Sequence, residues 1–348
     1  MLDLPYLYGA PTIEGVIRSC NDDFYVEEIL GFQPSGQGEH LWVYIEKKGE
    51  NTQFVANQLA KILGVQPREV ATSGMKDRHA CTRQWLSLPY PIKKPIPKNI
   101  KIDNTQILLV TRHDRKLKTG THKANRFILK IKTPQLTSEQ VNQLDERINQ
   151  IKTMGVPNYF GEQRFGRHGA NIQKALDLFA GKFKVKDKKK RGIYLSSARS
   201  FLFNQMIKKR IDAELFKPCV GDVFILSGSN SIFVEPALTD ELLKRYSTHD
   251  IQISAALWGE GDLKSFDKIA DIEQAVANEH EALAQGLCSV RMKQERRSIN
   301  LHLPDISYQY SKQTIELQFD LPTGCFATAV LREIINYTDG SKHEHIAE

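Results

Sequence analysis

The C-terminal piece of this chain cannot fold alone, and that constrains everything before it. Ile315, Leu317 and Phe319 alternate with polar neighbours, Pro322-Thr323-Gly324 makes a turn, and Ala327, Val330, Leu331 and Ile334 fall at helical spacing. One strand and one helix do not enclose a core, so this piece must complete a sheet begun much earlier. The intervening chain is then an insertion. The texture changes where that reading requires it: Val156-Pro157-Asn158-Tyr159-Phe160-Gly161 leads from a mixture of strands and helices into helices expected at 172–179 and 197–211. The expected organisation is a discontinuous domain of residues 1–154 plus 304–348 holding an inserted domain of residues 155–303. Two domains suit a length of 348 residues.

Within the first part, Leu41-Trp42-Val43-Tyr44-Ile45 reads as a strand, and further strands are expected near 69–72, 81–88 and 106–111. Thr52 is the expected cap of a helix whose apolar residues are Phe54, Val55, Leu59, Ile62 and Leu63, ending at Gly64. Phe127, Leu129 and Ile131 alternate with Arg126, Lys130 and Lys132, as in a half-buried strand. Thr137 and Gln140 form a capping box for a helix through Val141, Leu144, Ile148 and Ile151, closed by Gly155. Regular βαβ repetition is missing, so the class is α+β.

Composition removes several functions. No apolar run is long enough to cross a bilayer. Met1-Leu2-Asp3-Leu4-Pro5 lacks the basic and apolar regions of a secretion signal, so a cytoplasmic protein is expected. Cys20, Cys81, Cys219, Cys288 and Cys325 are widely spread without a CxxC pair, the pattern of reduced, mostly buried thiols. Pro218-Cys219 lacks the second Cys and the H-x-E of a zinc deaminase. His343 and His345 flank Glu344 in a polar tail, which reads as a solvated end rather than a metal site. GxGxxG, GxxxxGK[ST] and GxSxG are absent. No metal or nucleotide cofactor is expected.

Charge points to a polyanion. The 48 Lys+Arg exceed the 41 Asp+Glu, a formal charge of +7, and the excess is clustered. Arg112, Arg115, Lys116, Lys118, Lys123, Arg126, Lys130 and Lys132 face only Asp114, and 182–191 holds seven basic residues against Asp187. Arg291, Lys293, Arg296 and Arg297 form a looser third cluster. A single basic run usually marks a solvated face; dense runs in a chain of pI 9.0 favour nucleic acid.

The densest polar constellation is Gly74-Met75-Lys76-Asp77-Arg78-His79-Ala80-Cys81-Thr82-Arg83-Gln84-Trp85, between two expected strands. A carboxylate among Lys76, Arg78 and Arg83 is held as the anion at neutral pH, which suits a nucleophile or anionic base and not a general acid. Read on local pattern alone, the same residues make a polar turn whose Lys-Asp pair faces water. Asn125 and Phe127 share one strand face; an amide beside a ring holds a flipped base by its edge and its plane. Pattern alone also reads Phe127 as a core residue. The loop Asn158 to Arg167 mixes aromatics, Gly, Gln and Arg, and serves equally as an RNA contact or a domain-junction hinge.

Five blocks in order carry a resemblance. Residues 74–85, Lys123-Ala124-Asn125-Arg126-Phe127, residues 156–166, residues 197–204 and residues 321–333 are similar to the TruD family of pseudouridine synthases. The likeness runs from Phe24-Tyr25-Val26-Glu27-Glu28 to His345-Ile346-Ala347-Glu348, weakest over 215–300. It implies an α+β pseudouridine synthase catalytic fold around a largely antiparallel sheet, interrupted by an inserted family-specific α/β domain. It also implies conversion of uridine 13 of tRNA to pseudouridine, with tRNA as partner and no cofactor. The resemblance makes Asp77 the nucleophile and puts Asn125, Phe127 and Phe326 at the target base, with Lys76 among the substrate-binding residues. Arg18 takes the place of a basic partner for the Asp, where Lys is expected in related bacterial members; Arg offers a planar fork in place of a point donor.

The implied reaction breaks the N1–C1′ bond, turns the uracil while it stays bound, and joins C5 to C1′. Neither redox change nor hydrolysis occurs, so neither nicotinamide, flavin nor ATP is called for. An RNA site between two domains does not require a dimer, and a monomer is expected. Two other classes use the same features. One is a non-catalytic RNA-binding protein. The other is an N-glycosidase or nuclease, which would enlist a second carboxylate from among Glu27, Glu28, Asp22 and Asp23.

Overall fold

A computed structural model describes residues 3–97, 99–229 and 231–342 of the chain. The His343-Glu344-His345 tail lies outside them. The described residues group into two compact units: one takes 11–152, 303–327 and 334 onward, the other 3–10, 153–302 and 328–333.

The first unit opens with β1 (Glu14–Ile17), β2 (Phe24–Ile29), β3 (His40–Lys48), α1 (Thr52–Leu63), β4 (Ala71–Thr72), β5 (Cys81–Pro89), β6 (Thr105–His113), β7 (Ala124–Lys132) and α2 (Ser138–Met154). The second unit follows with β8 (Val156–Pro157), α3 (Ala170–Phe179), α4 (Lys188–Asp212), β9 (Val223–Leu226), β10 (Ile232–Val234), α5 (Asp240–Ser247), β11 (Ile251–Leu257), α6 (Asp267–Glu279), α7 (Glu281–Ser289), β12 (Glu295–Ser298) and β13 (Asn300–Leu301). The chain ends with β14 (Ser307–Ser311), β15 (Thr314–Pro322), α8 (Ala327–Ile334) and β16 (Asn336–Asp339).

In the first unit a 10-stranded sheet runs β14-β15-β7-β2-β5-β3-β6, with β4 on β5 and β1 joining β7 to β16. Only β2–β5 and β1–β16 are parallel, so the sheet is largely antiparallel. The late strand β15 pairs with β7 along its whole length, Thr314↔Lys132 through Pro322↔Ala124. The C-terminal strand thus completes a sheet started by the first part of the chain. On one face, Leu41, Val43 and Ile45 of β3 and Leu86 and Leu88 of β5 bury Val55, Ala56 and Leu59 of α1. Phe54 and Ile62, expected on that stripe, are instead exposed, because the buried stripe is Val55-Ala56-Leu59-Ala60. Glu69, expected in a strand, closes a 3-10 turn that Pro67 starts. The capping box of α2 is formed, Thr137 N donating to Gln140 Oε1 at 3.0 Å and Gln140 N to Thr137 Oγ1 at 3.2 Å.

The second unit holds a four-stranded sheet, β10-β9-β11-β12, with α4 lying against β11, α6 and α7. Helix α4 starts at Lys188, well before the expected 197, because Asp187 caps it by accepting from the amides of Lys189 and Lys190. Near its end Arg210 forms a fully buried ion pair with Asp222, whose Oδ2 also accepts from Cys219 N at 2.8 Å. Of the five cysteines only Cys81 is buried and Cys20 is exposed, so the expectation of mostly buried thiols fails. Among the described residues no helix is long and apolar enough to cross a membrane.

Asp222→Ala strands the Arg210 guanidinium in the core and should cost about 3–5 kcal/mol. Hydrogen exchange of α4 reads the loss. The double replacement Arg210→Met with Asp222→Leu should recover most of it, since a matched apolar pair leaves no buried charge.

Candidate active site

Arg18 directly follows β1. The parallel pairing of β1 with β16 sets Ile17 opposite Asp339, so the next residue arrives beside that carboxylate. Arg18 takes φ 54°, a left-handed conformation that costs a side chain with a Cβ. Its side chain is 5% exposed. Nη1 donates to Asp339 Oδ2 and Nη2 to Asp77 Oδ2, both at 2.8 Å. The guanidinium carbon lies 3.9 Å from the centre of the Phe24 ring, a cation–π contact on its apolar side.

Asp77 stands in the loop 73–80 between β4 and β5, its side chain 41% exposed. The loop is clamped from the backbone. Lys47, wholly buried on β3, donates from Nζ to the carbonyls of Glu50 at 2.7 Å and of Asp77 at 2.8 Å. Burial pushes the Lys47 ammonium down to about 8, against the opposing charge of Asp77. Thr52 Oγ1 accepts from Lys76 N at 3.2 Å and donates to Gln84 Oε1 at 2.9 Å. Gln84 Nε2 in turn donates to the Gly74 carbonyl at 3.3 Å. Thr52 is therefore not the cap of α1. Asn51 is, accepting from Gln53 N at 2.8 Å, which leaves the Thr52 hydroxyl for the loop.

The expected cationic surroundings of Asp77 need correction. Lys76 forms a buried ion pair with Glu28 at 3.0 Å, and Arg83 a partly exposed one with Glu46 at 2.7 Å. Arg78 reaches the Gly49 carbonyl, a long 3.4 Å contact. The charge on the Asp77 side chain is met by Arg18, from far away in sequence.

Strand β7 supplies the other side. Asn125 lies opposite Glu28 of β2 and Leu321 of β15, and Phe127 opposite Val26 and Phe319. Phe127 is 8% exposed, stacked on Phe319 at 5.4 Å and edge-on to Phe24 at 6.3 Å. Phe24 thus touches both the Arg18 guanidinium and Phe127, which ties the Asp77 pair to the β7 face. Thr323, just after β15, donates to the His122 carbonyl at 2.6 Å. Phe326, half-buried, follows in the same turn. Among the described residues no three His, Cys, Asp or Glu side chains converge as metal ligands would.

The model of the family described as tRNA pseudouridine synthase D (TruD) matches residues 4–184 and 171–334 of this chain. The chain belongs to the TruD family. A tRNA pseudouridine synthase D of Pseudoalteromonas translucida is 43% identical over 347 residues, 99% of this chain and 96% of its own. One of Aeromonas hydrophila is 43% identical over 334 residues, 95% of this chain and 94% of its own. The crystal structure of a protein assigned as tRNA pseudouridine synthase D (TruD) from Methanosarcina mazei superposes with a TM-score of 0.73 at 19% identity, covering 98% of this chain and 100% of that one. The last likeness carries the fold alone. This TruD chain is accordingly a tRNA pseudouridine synthase, an isomerase.

Sequence reasoning missed Asp339, Lys47 and Thr52. Asp339 ends β16, a four-residue strand with half-exposed alternate residues and no apolar signal. Lys47 sits in phase with Val43 and Ile45, so a lysine on a buried register was the available sign.

Lys47 gives a testable pH dependence. Its ammonium titrates near 8 in the folded chain against an ordinary 10.5, so between those values the unfolded chain binds the extra proton. Folding must then strengthen as pH rises through this window and gain nothing from Lys47 below it. Relative to Lys47→Met, wild-type stability in urea should climb by up to about 1.4 kcal/mol per pH unit there. A flat difference between the two proteins rules the buried ammonium out.

Proposed function

We propose that this TruD chain converts uridine 13 of tRNA to pseudouridine, with Asp77 as the nucleophile. The observation that carries the reading is the Arg18–Asp77 pair: a half-exposed carboxylate bonded to a buried guanidinium, in a loop whose backbone is fastened by Lys47 and Thr52. Such a carboxylate meets the positive charge that builds at C1′ as uracil leaves with the N1–C1′ electron pair. The base turns while bound, C5 joins C1′, the proton on C5 departs and N1 takes one up, so the net change is an isomerisation. The four acids that could serve as a glycosidase's second carboxylate are each engaged: Glu28 with Lys76, Asp22 with Lys48, Glu27 accepting from Tyr44 at 2.8 Å and Asp23 from the Cys20 amide at 3.2 Å.

The target nucleotide must leave its stack, at a cost of a few kcal/mol. Phe127 is the proposed ring beneath it, offsetting about 1–3 kcal/mol by stacking. Asn125 and Phe326 are the proposed edge and wall of the pocket, and Lys76 acts from beneath through Glu28. The same reading takes residues 1–154 plus 304–348 as the catalytic domain and 155–303 as the inserted domain. It has the enzyme act as a monomer in the cytoplasm. The exposed lysines between 182 and 190 hold phosphates, a contact that salt weakens.

Carbodiimide primer-extension mapping of tRNA after incubation with the enzyme should show pseudouridine at position 13, and Asp77→Asn should abolish it while tRNA affinity stays within a few-fold. Normal turnover by the Asn variant, or release of free uracil, overturns the assignment. Phe127→Ala should slow the reaction more than Phe127→Tyr; equal single-turnover rates would reduce Phe127 to packing.

A further inference from the structure

Asn125 and His122 form a contact that the reaction outlined above does not use. Asn125 Nδ2 lies 3.1 Å from His122 Nε2. An amide nitrogen only donates, so the pair as placed requires Nε2 bare, in a neutral ring that carries its proton on Nδ1. The imidazole is 5% exposed. Asn125 Oδ1 and His122 Nδ1 are both buried and lack a hydrogen-bond partner among the described residues. A buried acceptor left unpaired is costly, and Oδ1 keeps an acceptor capacity that no described residue uses.

The ring is held in place by its surroundings. His122 immediately precedes β7, its carbonyl takes the Thr323 hydroxyl, and the amide of Gly120 donates to the Ser73 carbonyl at 2.7 Å. Gly74 lies against its edge: a Cβ there would sit 3.5 Å from His122 Cε1. The charged groups that face the imidazole are Lys76 and Glu28, already paired with each other. Burial first, and the Lys76 charge second, hold its pKa below the usual histidine value, which keeps it neutral at pH 7.

We propose that His122 is a positioning residue that locks the Asn125 amide with Oδ1 toward the bound base, so that the pocket accepts a hydrogen bond and selects uracil over cytosine. This deepens the pseudouridine synthase reading and rests on it. Uracil carries a hydrogen on N3, whereas cytosine presents a lone pair there, which an acceptor repels. N3 also lies on the axis through C6 that exchanges N1 with C5. A bond from N3–H to Oδ1 therefore survives while the ring turns from its old attachment to its new one. Protonation of His122 would reverse the arrangement: Nε2–H would draw Oδ1 to itself and turn the amide hydrogens toward the base.

Two measurements test the proposal. In single-turnover reactions at saturating enzyme, His122→Leu should lower the rate constant by about ten-fold or more while tRNA Kd stays within about two-fold, the size of one lost hydrogen bond. His122→Gln, whose side-chain oxygen accepts from Nδ2 and does not titrate, should restore much of the rate and lose the part of the acid-side decline that the wild type owes to His122. Separately, 15N NMR of histidine-labelled wild-type protein at pH 7 should show the Nδ1–H tautomer for His122. A wild-type rate in His122→Leu, an acid-side decline unchanged in His122→Gln, or an Nε2–H tautomer each overturns the role of His122. Absence of pseudouridine with the wild type overturns the activity itself, whereas product from the wild type beside an unaffected His122→Leu overturns only this inference.

Discussion

The Arg18 guanidinium is the point at which three distant stretches of chain meet. It joins the segment after β1, the loop before β5 and the end of β16, through Asp77 and Asp339. A single ammonium could neutralise either carboxylate, but two parallel N–H vectors at fixed separation set both at once. The geometry is delivered by backbone pairing: β1 and β16 run parallel in register Ile17↔Asp339. The left-handed turn at Arg18 then swings the side chain out of the strand direction. Local backbone strain is tolerable there because the two ion pairs and the Phe24 ring oppose its relaxation.

Beneath the carboxylate, the loop is fixed by groups that never meet a ligand. Lys47 holds the Asp77 carbonyl, Thr52 the Lys76 amide, and Gln84 the Gly74 carbonyl. These three come from β3, α1 and β5, the elements of the apolar core built on Leu41, Val43, Leu59 and Leu86. Core packing is thereby converted into the position of one backbone segment. On the proposed reading of Asp77 precise placement matters, because misplacing a reacting group by an ångström costs about a hundred-fold in rate. The same economy explains why α1 uses Asn51 as its cap: Thr52 is spent on the loop.

Much of the fold was legible because it follows from periodicity. The alternation of Phe127, Leu129 and Ile131 placed β7, that of Ile315, Leu317 and Phe319 placed β15, and the isolation of the latter required a discontinuous sheet. As candidate site residues, Asp77, Asn125 and Phe127 stand out only because a long motif surrounds them, since each also reads as turn or core. Asp339 was not legible, because β16 is short and its alternation is between exposed and half-exposed residues. The Arg18–Asp339 contact, 321 positions apart in sequence, depends on sheet register and has no local signature. Of the cations expected around Asp77, Arg18 pairs with it, whereas its neighbours along the chain, Lys76 and Arg83, point to acids on other strands.

The basic clusters show how little a charge count says about a surface until folding has assigned the partners. Arg112 is buried and spends its guanidinium on the carbonyls of Gly38, Tyr90, Pro91, Ile92 and Lys94. Arg126 pairs with Asp320, and Arg296 with the buried Glu273. Arg297 donates to Asn158 and lies over Phe160. These arginines are structural cations. What is left at the surface is mostly lysine, with Arg115 and Arg291 beside it: Lys116, Lys118 and Lys123 before β7, and Lys184, Lys186, Lys188, Lys189 and Lys190 leading into α4. The last three occupy the first turn of a helix, where the dipole disfavours positive charge. Asp187 already takes the amides of Lys189 and Lys190 there, so a phosphate brought to that turn would meet the ammonium groups and not free helix amides.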